Sequence, residues 1–510
     1  MSLRIVRVLS GCAILFGVWA RLFDFGHTPP GLNPDEASIG YEAWSLLNFG
    51  VDRNGFSWPV HFVSWGSGQN VLYAYLTIPF VVHDLTPFTI RLPMLLTAIG
   101  SLPLVWVSGQ KLFGEKAAWA ATTVVALSPW HIMSSRWALE SNLLPFVFLC
   151  GYTCLAISRD AQSRHVWLAG ACVFFGLALY AYGSAYLSVP IFLVMALCLF
   201  VADGGYSRSQ AITGLAFFSI TAMPIAIFVG INFLKWHTVS VFGISIPLLP
   251  SVPRFESQIA AGPLVHIGQF WRLLLSQRDR FVYNTTDPYG VLYSSIFFGL
   301  GVWVAVVSSV LVVQKKWPSK RGLVPMWLLA CAPTGFVQEP NINRINLLLM
   351  GLVIAAGLAL AILDERMRGS LIVGIIALLG MSCLFGRAYF GSQRDKIGIA
   401  FYDGLLQSLE FVQARARASD MVCVTDKVNM PYIYALFSER TDPRQYGRTV
   451  RYADDTAAFR EVLSFGRYKF DLEKCDFVRA RFAIAVTGEE VGGALRKVGV
   501  FSTFAVYARP

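Results

Sequence analysis

The chain contains about eleven apolar segments, each near the roughly 20 residues that an α-helix needs to cross a lipid bilayer. They lie near residues 4–22, 90–110, 117–134, 143–158, 166–182, 186–202, 210–233, 290–313, 323–338, 345–363 and 369–389. Of the 510 residues, 55% are hydrophobic and only 14% are charged, which excludes an ordinary soluble protein and a disordered one. The sequence therefore predicts a polytopic α-helical membrane protein.

The positions of the basic residues predict the orientation of these segments. The net charge of +11 could indicate a nucleic-acid partner, but the Lys and Arg residues form short clusters between apolar segments instead of one basic face. With a cytoplasmic N-terminus every inner loop is basic, as the positive-inside rule requires. The residues in those loops are Lys111, Lys116, Arg159, Arg164, Arg208, Lys315, Lys316, Lys320, Arg321, Arg366 and Arg368. We expect a multi-pass protein of the bacterial cytoplasmic membrane with its C-terminus outside and no nucleic-acid partner.

The first apolar segment has two interpretations. Arg4 and Arg7 before a short apolar stretch are also found in signal peptides, but no small-x-small cleavage site follows. Residues 21–25 instead resemble the outer end of a helix that remains in the mature protein. We therefore interpret residues 4–22 as the first transmembrane helix.

Three segments are predicted to lie outside: residues 23–89, residues 234–289 and the C-terminal segment from 391 onward. Within the first, Val71–Val82 is too short to span and contains Pro79, so it is interpreted as an interfacial or re-entrant helix. Residues 1–390 are thus assigned to a transmembrane domain and residues 391–510 to a small outer α/β domain.

The C-terminal domain is predicted from alternating helix and strand patterns. Helices are expected at 405–416, 431–437 and 489–498, and strands at 421–425, 481–486 and 501–508. Cys423 and Cys475 lie in this segment and could pair in an oxidising compartment.

The first outer segment contains two adjacent carboxylates, Asp35 and Glu36. Asn33 and Pro34 predict the start of a helix there, which continues as an amphipathic helix to Gly50. A capping box between Asn33 and Glu36 would explain the acids without any catalysis. Their place at a bilayer surface, where a lipid-linked substrate presents its head group, favours catalysis instead. Tyr41, later in the same helix, is a candidate substrate-binding residue.

Two further polar segments lie at outer ends of apolar segments. Arg136 and Glu140 are spaced i to i+4, which is compatible with a helix-surface ion pair, or with Glu140 facing the same outer cavity as Asp35. Arg344, which follows Asn343, is predicted to lie outside, although basic residues are usually enriched in the inner loops. It is either an interfacial arginine or a residue that binds a phosphate.

The sequence gives little sign of a metal centre. His61, His83, His131 and His237 are dispersed, and no cysteine spacing matches a zinc or iron–sulfur site. No cofactor is assigned. A divalent cation bound by the oxygens of Asp35, Glu36 and Glu140 is the one alternative left open.

These segments resemble a known superfamily. The loop His27–Asn54 around Gly31–Glu36, the stretch Ala126–Pro145 and the stretch Asp426–Pro443 are similar to those of the GT-C membrane glycosyltransferases. The resemblance is strongest to bacterial family 39-like members, which are related to protein O-mannosyltransferases and to the lipid A aminoarabinose transferase. The chain lacks the Trp-Trp-Asp type signature of oligosaccharyltransferases, which argues against en bloc glycan transfer.

The resemblance implies an inverting enzyme that transfers a sugar from a polyprenyl phosphate, undecaprenyl phosphate in bacteria, to an acceptor on the outer face. The acceptor would be a protein, lipid A or an envelope polysaccharide. Asp35 matches the family's first-loop acid, Glu140 is similar to its second-loop acid, and Arg344 resembles the basic residue that holds the donor phosphate. Glu36 is either a further acid of the site or a cap.

Two other functions fit a polytopic chain. A transporter or flippase for a lipid-linked glycan would carry ionisable residues near the middle of its spans and internal repeats. Neither is evident here, because the charges gather at the ends of the apolar segments. A non-catalytic assembly protein that binds envelope glycan is the second alternative.

Overall fold

The computed structural model describes residues 3–251, 263–276, 290–337, 339–493 and 495–510, and most of them are helical. The α-helices are α1 Leu3–Leu22, α2 Pro34–Phe49, α3 Leu72–Thr77, α4 Pro87–Phe113, α5 Glu115–Leu127, α6 Pro129–Ser134, α7 Glu140–Ser158, α8 Arg164–Ala178, α9 Ala185–Ala202, α10 Arg208–Phe233, α11 Pro263–Ser276, α12 Gly290–Val313, α13 Leu323–Cys331, α14 Thr334–Val337, α15 Asn346–Arg366, α16 Ser370–Arg387, α17 Arg394–Ala400, α18 Leu405–Gln413, α19 Tyr432–Glu439 and α20 Pro443–Thr449. The strands are β1 Val239–Val241, β2 Ile244–Ile246, β3 Met421–Val424, β4 Arg451–Tyr452, β5 Val462–Phe465, β6 Tyr468–Phe470, β7 Ala480–Val486, β8 Arg496–Phe501 and β9 Phe504–Ala508.

Each of the eleven predicted apolar segments overlaps one or two of these helices. Within the described ranges, seven helical segments are long and apolar enough to cross a membrane: α1, α4, α7, α9, α10, α15 and Ser370–Ser392, which extends α16. Shorter apolar helical stretches occur at Arg164–Ala178 and Phe298–Val313. The polytopic helical fold is therefore confirmed, whereas the number of eleven crossings stays a prediction.

The chain divides into two compact units. The helical unit comprises Met1–Phe25, Met94–Ala226 and Phe255–Ser392. The mixed unit comprises Gly26–Pro93, Ile227–Arg254 and Gln393–Pro510. The mixed unit thus contains parts of both long interhelical segments together with the C-terminal segment. Of the predicted second outer segment, residues 252–262 and 277–289 lie outside the described residues.

Helix α5 lies at the centre of the helical unit because its residues are small. Ten of its 13 residues are buried. A Cβ added to Gly17 of α1 would lie 2.4 Å from the backbone oxygen of Ala126, and one added to Gly357 of α15 would lie 2.4 Å from Cα of Ala121. Small residues allow helix backbones to approach this closely, which is how apolar helices gain packing energy in lipid.

The C-terminal part of the mixed unit is an α/β fold around one seven-stranded sheet, with the strand order β4-β5-β6-β3-β7-β9-β8. Strand β3 is parallel to both of its neighbours, β6 and β7, and the other neighbouring pairs are antiparallel. Cys423 of β3 forms a disulfide with Cys475, and their Cα atoms are 6.2 Å apart. The bond lies beside buried Leu472 and Ala483 in the core under the sheet.

The predicted helix at 489–498 is wrong. Strand β8 begins at Arg496 and forms an antiparallel pair with β9, and residue 494 lies outside the described residues. Gly492 and Gly493 are poor helix formers, and the β-branched Val498 and Val500 favour a strand. The prediction followed a helical spacing of apolar residues, but the edge of the sheet determines the conformation of this segment.

Helix α2 is enclosed by the mixed unit, with 11 of its 16 residues buried. This enclosure exceeds what an amphipathic surface helix requires. On one side lies a buried polar cluster in which Arg53 donates from Nε to Oε1 of Glu42 at 2.6 Å and from its backbone N–H to Oε2 at 2.9 Å. Asp52 Oδ1 accepts the backbone N–H groups of Asn54 and Phe56, both at 2.9 Å.

The two carboxylates of this cluster differ in their partners, because Glu42 binds the Arg53 guanidinium and Asp52 accepts backbone N–H groups. Burial, followed by the negative charge of Glu42, raises the pKa of Asp52 well above its ordinary value. Burial also raises the pKa of Glu42, but the charge and hydrogen bonds of Arg53 oppose this effect. The surroundings therefore favour the neutral form of Asp52, while Glu42 and Arg53 form the ion pair.

Replacing Gly31 with Ala is expected to destabilise the mixed unit. The backbone φ of Gly31 is +78°, and an added Cβ would lie 2.4 Å from the backbone oxygen of Phe401. The left-handed conformation alone costs a non-glycine residue about 1–2 kcal/mol, and the clash adds to that cost. Gly55→Ala is the matched control, because its φ is +84° but no atom lies within 4 Å of the added Cβ. Thermal unfolding in detergent should give the lower melting temperature for Gly31→Ala, and equal values would contradict the clash.

The stability of the protein is expected to depend on pH through Asp52. Because the folded state raises the pKa of this acid, its contribution is complete below the ordinary carboxyl pKa and is lost as pH rises through the folded value. Asp52→Asn keeps the Oδ1 acceptor but cannot ionise. As pH rises above the ordinary carboxyl pKa, the melting temperature of the unaltered protein should therefore fall relative to that of the variant.

The control for this measurement is Asp426→Asn, which changes an exposed acid of the same unit. It should leave the pH profile of the melting temperature unchanged. Identical pH profiles for Asp52→Asn and the unaltered protein would show that Asp52 does not carry the dependence.

Candidate functional site

The start of α2 has the geometry that the sequence predicted. The Asn33 side chain accepts the backbone N–H of Asp35 at 3.0 Å, and the backbone N–H of Asn33 donates to Oε2 of Glu36 at 3.1 Å. This is a capping box with Pro34 in the first turn. The helix ends at Gly50, which adopts the left-handed conformation typical of a C-cap.

Arg91 of α4 holds the loop that leads into this helix. Its guanidinium binds both carboxylate oxygens of Glu36 at 2.8 Å and donates to the backbone oxygens of Gly26 at 3.4 Å, Pro29 at 2.8 Å and Gly31 at 3.0 Å. The side chains of Arg91 and Glu36 are fully buried. The backbone N–H of Leu32 also donates to the oxygen of Phe401 at 2.7 Å. Residues 26–36 are thus fixed by one buried ion pair and several backbone contacts.

The two adjacent carboxylates therefore have different surroundings. Glu36 is completely buried, with its oxygens bound to Arg91 and to the capping box. Asp35 is only partly buried. It occupies the second position of a helix, where the helix dipole favours a negative charge. Of the pair, Asp35 is the more accessible carboxylate, whereas both oxygens of Glu36 are bound by the protein.

Tyr41 lies deeper in the same unit. It is buried, its hydroxyl donates to the backbone oxygen of Thr441 at 2.6 Å, and burial raises its pKa well above the ordinary value. These contacts attach α2 to the segment before α20. They are typical of a residue that packs two segments together.

In the helical unit, Arg136 lies in the turn between α6 and α7, so it does not share a helical face with Glu140. It is buried and donates to the backbone oxygens of Ala20 at 3.1 Å and Arg21 at 2.9 Å. Its guanidinium also lies 5.0 Å from the ring centre of Phe390. Arg136 thus holds the end of α1 against the turn. The interpretation as a helix-surface pair is wrong because the helix starts at Glu140.

Glu140 is the first residue of α7 and is buried. Nearby, a chain of polar contacts links three helices: Trp130 Nε1 donates to Oδ1 of Asn346 at 2.8 Å, and Asn346 Nδ2 donates to Oδ1 of Asn142 at 2.8 Å. A small cavity lies beside this chain. It is lined by Trp130, Met133, Ser134, Trp137, Asn142, Ile342, Asn343 and Asn346. The structure therefore brings the segment before α7 and the segment before α15 together around Asn343.

Arg344 lies next to this cavity-lining residue and just before α15. Its guanidinium donates to the backbone oxygen of Glu339 at 2.5 Å and lies 3.9 Å from the carboxylate of the same residue. The Arg344 side chain is 12% exposed and that of Glu339 is 41% exposed. An anionic ligand would compete with a half-exposed carboxylate for this guanidinium.

Sequence reasoning missed the residues that position these side chains. Arg91 lies at the start of the apolar segment 90–110, where a charged residue is common, so its position gave no clear signal. Glu42, Asp52 and Arg53 also gave no signal, because their partnership depends on a turn at 51–56. Within the described ranges, no group of three or more His, Cys, Asp or Glu residues could hold a metal ion. A divalent cation at the acids stays a prediction.

The chain is similar in structure to known membrane enzymes. It matches ArnT from Cupriavidus metallidurans in the apo state with a TM-score of 0.61 at 14% identity, covering 98% of this chain and 97% of the other. The undecaprenyl phosphate complex of the same protein gives a TM-score of 0.59 at 14% identity, covering 99% of this chain and 98% of the other. The oligosaccharyltransferase of Archaeoglobus fulgidus gives 0.52 at 11% identity, covering 84% of this chain and 61% of the other.

Similarity in sequence is limited to one segment. "Putative mannosyltransferase YycA" of Bacillus subtilis (strain 168) is 32% identical over 102 residues, which is 20% of this chain and 15% of that protein. No family model matches the sequence. The likeness to ArnT extends over almost the whole of both chains and, at this level of identity, concerns the fold. The chain therefore has the GT-C fold, as do the lipid A aminoarabinose transferase ArnT and the archaeal oligosaccharyltransferase.

Proposed function

We propose that this protein is an inverting glycosyltransferase that moves a sugar from a polyprenyl phosphate to an acceptor at the outer face of the bacterial cytoplasmic membrane. The observation that carries the proposal is Asp35, a partly buried carboxylate at the start of a helix fixed by the buried pair of Arg91 and Glu36. The GT-C fold supports it, because that fold is shared with ArnT.

The reaction requires a base. An acceptor hydroxyl attacks the anomeric carbon while the phosphate leaves from the opposite face, so the configuration inverts and the hydroxyl proton must be removed. Asp35 is assigned this role because it is an accessible carboxylate and the capping box keeps its backbone in place. Glu36 and Arg91 act as positioning residues for the loop. Glu140 is assigned to orienting the acceptor.

The leaving phosphate needs its charge compensated more than it needs a proton. Arg344 is assigned this role because a guanidinium binds phosphate through several hydrogen bonds at once. In the structure it binds the backbone oxygen of Glu339, which keeps the side chain ordered before a ligand arrives. Asn343 and the neighbouring asparagines add amide groups at the adjoining cavity. Arg136 positions the turn before Glu140 and is not assigned to the chemistry.

The class of donor is proposed from the solved structures with this fold. ArnT was determined bound to undecaprenyl phosphate, and the archaeal oligosaccharyltransferase AglB in complex with an inhibitory peptide and a dolichol-phosphate. A polyprenyl phosphate sugar is therefore proposed as the donor here, and a protein, lipid A or an envelope polysaccharide as the acceptor. The disulfide between Cys423 and Cys475 supports an oxidising compartment, and hence an extracytoplasmic location, for the C-terminal segment.

Asp35→Asn is expected to lower kcat about 10²- to 10⁴-fold, the usual contribution of a general base, because the amide cannot accept the hydroxyl proton. The measurement is release of polyprenyl phosphate from polyprenyl phosphate sugar in membranes that contain the protein. The backbone N–H of Asp35 makes the capping contact and is kept in the variant, and thermal unfolding of the variant separates a loss of turnover from a loss of stability.

The control for this assay is Asp84→Asn, which removes a half-exposed carboxylate of the same interhelical segment that pairs with Arg440. It should retain normal turnover. Near-normal turnover by Asp35→Asn would remove Asp35 from the mechanism. Substrate movement across vesicles without release of polyprenyl phosphate would favour a transporter.

Arg344→Ala is expected to raise KM for the lipid donor about 10- to 100-fold, the equivalent of losing charge-assisted hydrogen bonds to a phosphate. Glu339→Gln is its matched control, because it removes the competing charge while keeping the side-chain shape. KM in that variant should stay constant or fall. An unchanged donor affinity in Arg344→Ala would refute the phosphate role.

A further inference from the structure

The short hairpin β1–β2 of the mixed unit ends in an apolar tip. The two strands pair antiparallel from Val239 and Ile246 to Val241 and Ile244. Phe242 at the turn is fully exposed, and Val241 and Ile244 beside it are about half exposed. It is unusual for a hairpin tip that faces water to expose a whole phenylalanine side chain.

The other side of the hairpin is firmly attached to the mixed unit. The backbone N–H of Ser245 donates to the oxygen of Ser57 at 3.0 Å, and the N–H of Val60 donates to the oxygen of Ser245 at 2.9 Å. Ile246 is buried. Farther on, Asn232 binds the backbone of Leu249 at 2.8 Å. The exposed tip is therefore held out from a fixed base.

The hairpin follows a candidate membrane helix closely along the chain. Helix α10 has the length and composition of a bilayer span, and its last residue, Phe233, is exposed. Leu234 and Trp236 follow directly and are also exposed, with Lys235 between them. Tryptophan and lysine at the end of an apolar helix mark the bilayer interface, where an aromatic ring and a cation are both stable. Strand β1 starts only three residues after Trp236.

We propose that the tip of this hairpin inserts into the bilayer surface beside the C-terminal end of α10, with Phe242 among the lipid acyl chains close to the head groups. The chain leaves the helix at the interface and reaches Phe242 within nine residues, which keeps the tip near the lipid. Lipid acyl chains also match the residues of the tip, because Val241, Phe242 and Ile244 are apolar. The insertion ties residues 57–60 to the membrane surface through Ser245. It does not depend on the proposed sugar transfer.

The experiment measures the depth of a fluorescent NBD label on Phe242→Cys. The accessible cysteines Cys12, Cys154, Cys198 and Cys383 are first replaced by Ala, and the disulfide is left intact by omitting reductant. Full-length protein is reconstituted into phosphatidylethanolamine and phosphatidylglycerol vesicles. Quenching is then compared for lipids with a doxyl group near the ester end of the chain and for iodide in water. Val478→Cys is the matched control, since Val478 is also an exposed apolar residue of the mixed unit.

We expect the label at position 242 to be quenched severalfold more by doxyl lipid than the label at position 478, and severalfold less by iodide. Its emission should also shift to shorter wavelength on reconstitution from detergent. Strong iodide quenching at 242, equal to that at 478, would overturn the proposal. Protection from both quenchers would also overturn it, because it would show that a protein partner or a second copy of the chain covers the tip. Phe242 has no packing role, so the variant should fold, which size-exclusion chromatography checks.

Discussion

The ion pair between Arg91 and Glu36 is the contact on which the candidate site depends. Both side chains are fully buried, so each charge would be very costly without the other. The pair is compensated because Arg91 makes five hydrogen bonds, two to Glu36 and three to backbone oxygens of the preceding loop. Removing one partner of such a pair typically costs about 3–5 kcal/mol. The loop before Asp35 therefore has one strongly preferred conformation, as the proposed base would need in order to meet a substrate in a defined geometry.

A second buried pair, between Arg53 and Glu42, holds the same helix farther along. Arg53 also contacts Tyr432, whose hydroxyl lies 3.3 Å from its guanidinium, and the ring centre of Trp65 lies 4.9 Å away. Satisfied buried polar networks specify one arrangement because every alternative leaves a charge or a donor unpaired. Helix α2 is thus fixed at both its start and its middle by arginines from outside the helix. Its burial is a consequence of these contacts and of packing against α19.

The helical unit achieves order by different means. At its centre, small residues of α1, α5 and α15 let helix backbones approach closely, and polar contacts add to this packing. The chain of Trp130, Asn346 and Asn142 links helices α6, α15 and α7 at the small cavity. In an apolar environment, amide and indole groups are stable only when they are hydrogen-bonded. These hydrogen bonds therefore define the relative positions of the helices that carry them. Arg344, immediately before α15, takes its position from that arrangement.

The sequence by itself determined the features that depend on neighbouring residues. The length of the apolar segments located the helices, and the Asn33–Glu36 spacing defined the capping box, because each contact spans a few residues. The resemblance of short motifs also pointed to the GT-C fold, which the structure confirms. Tertiary structure alone decided the partners of buried polar groups: Arg91 is 55 residues from Glu36, and the Tyr41 hydroxyl donates to the backbone oxygen of Thr441, 400 residues away. It also made residues 496–501 a strand, since their hydrogen bonds belong to the sheet edge. Contacts between distant residues depend on how the whole chain closes, and no local pattern encodes them.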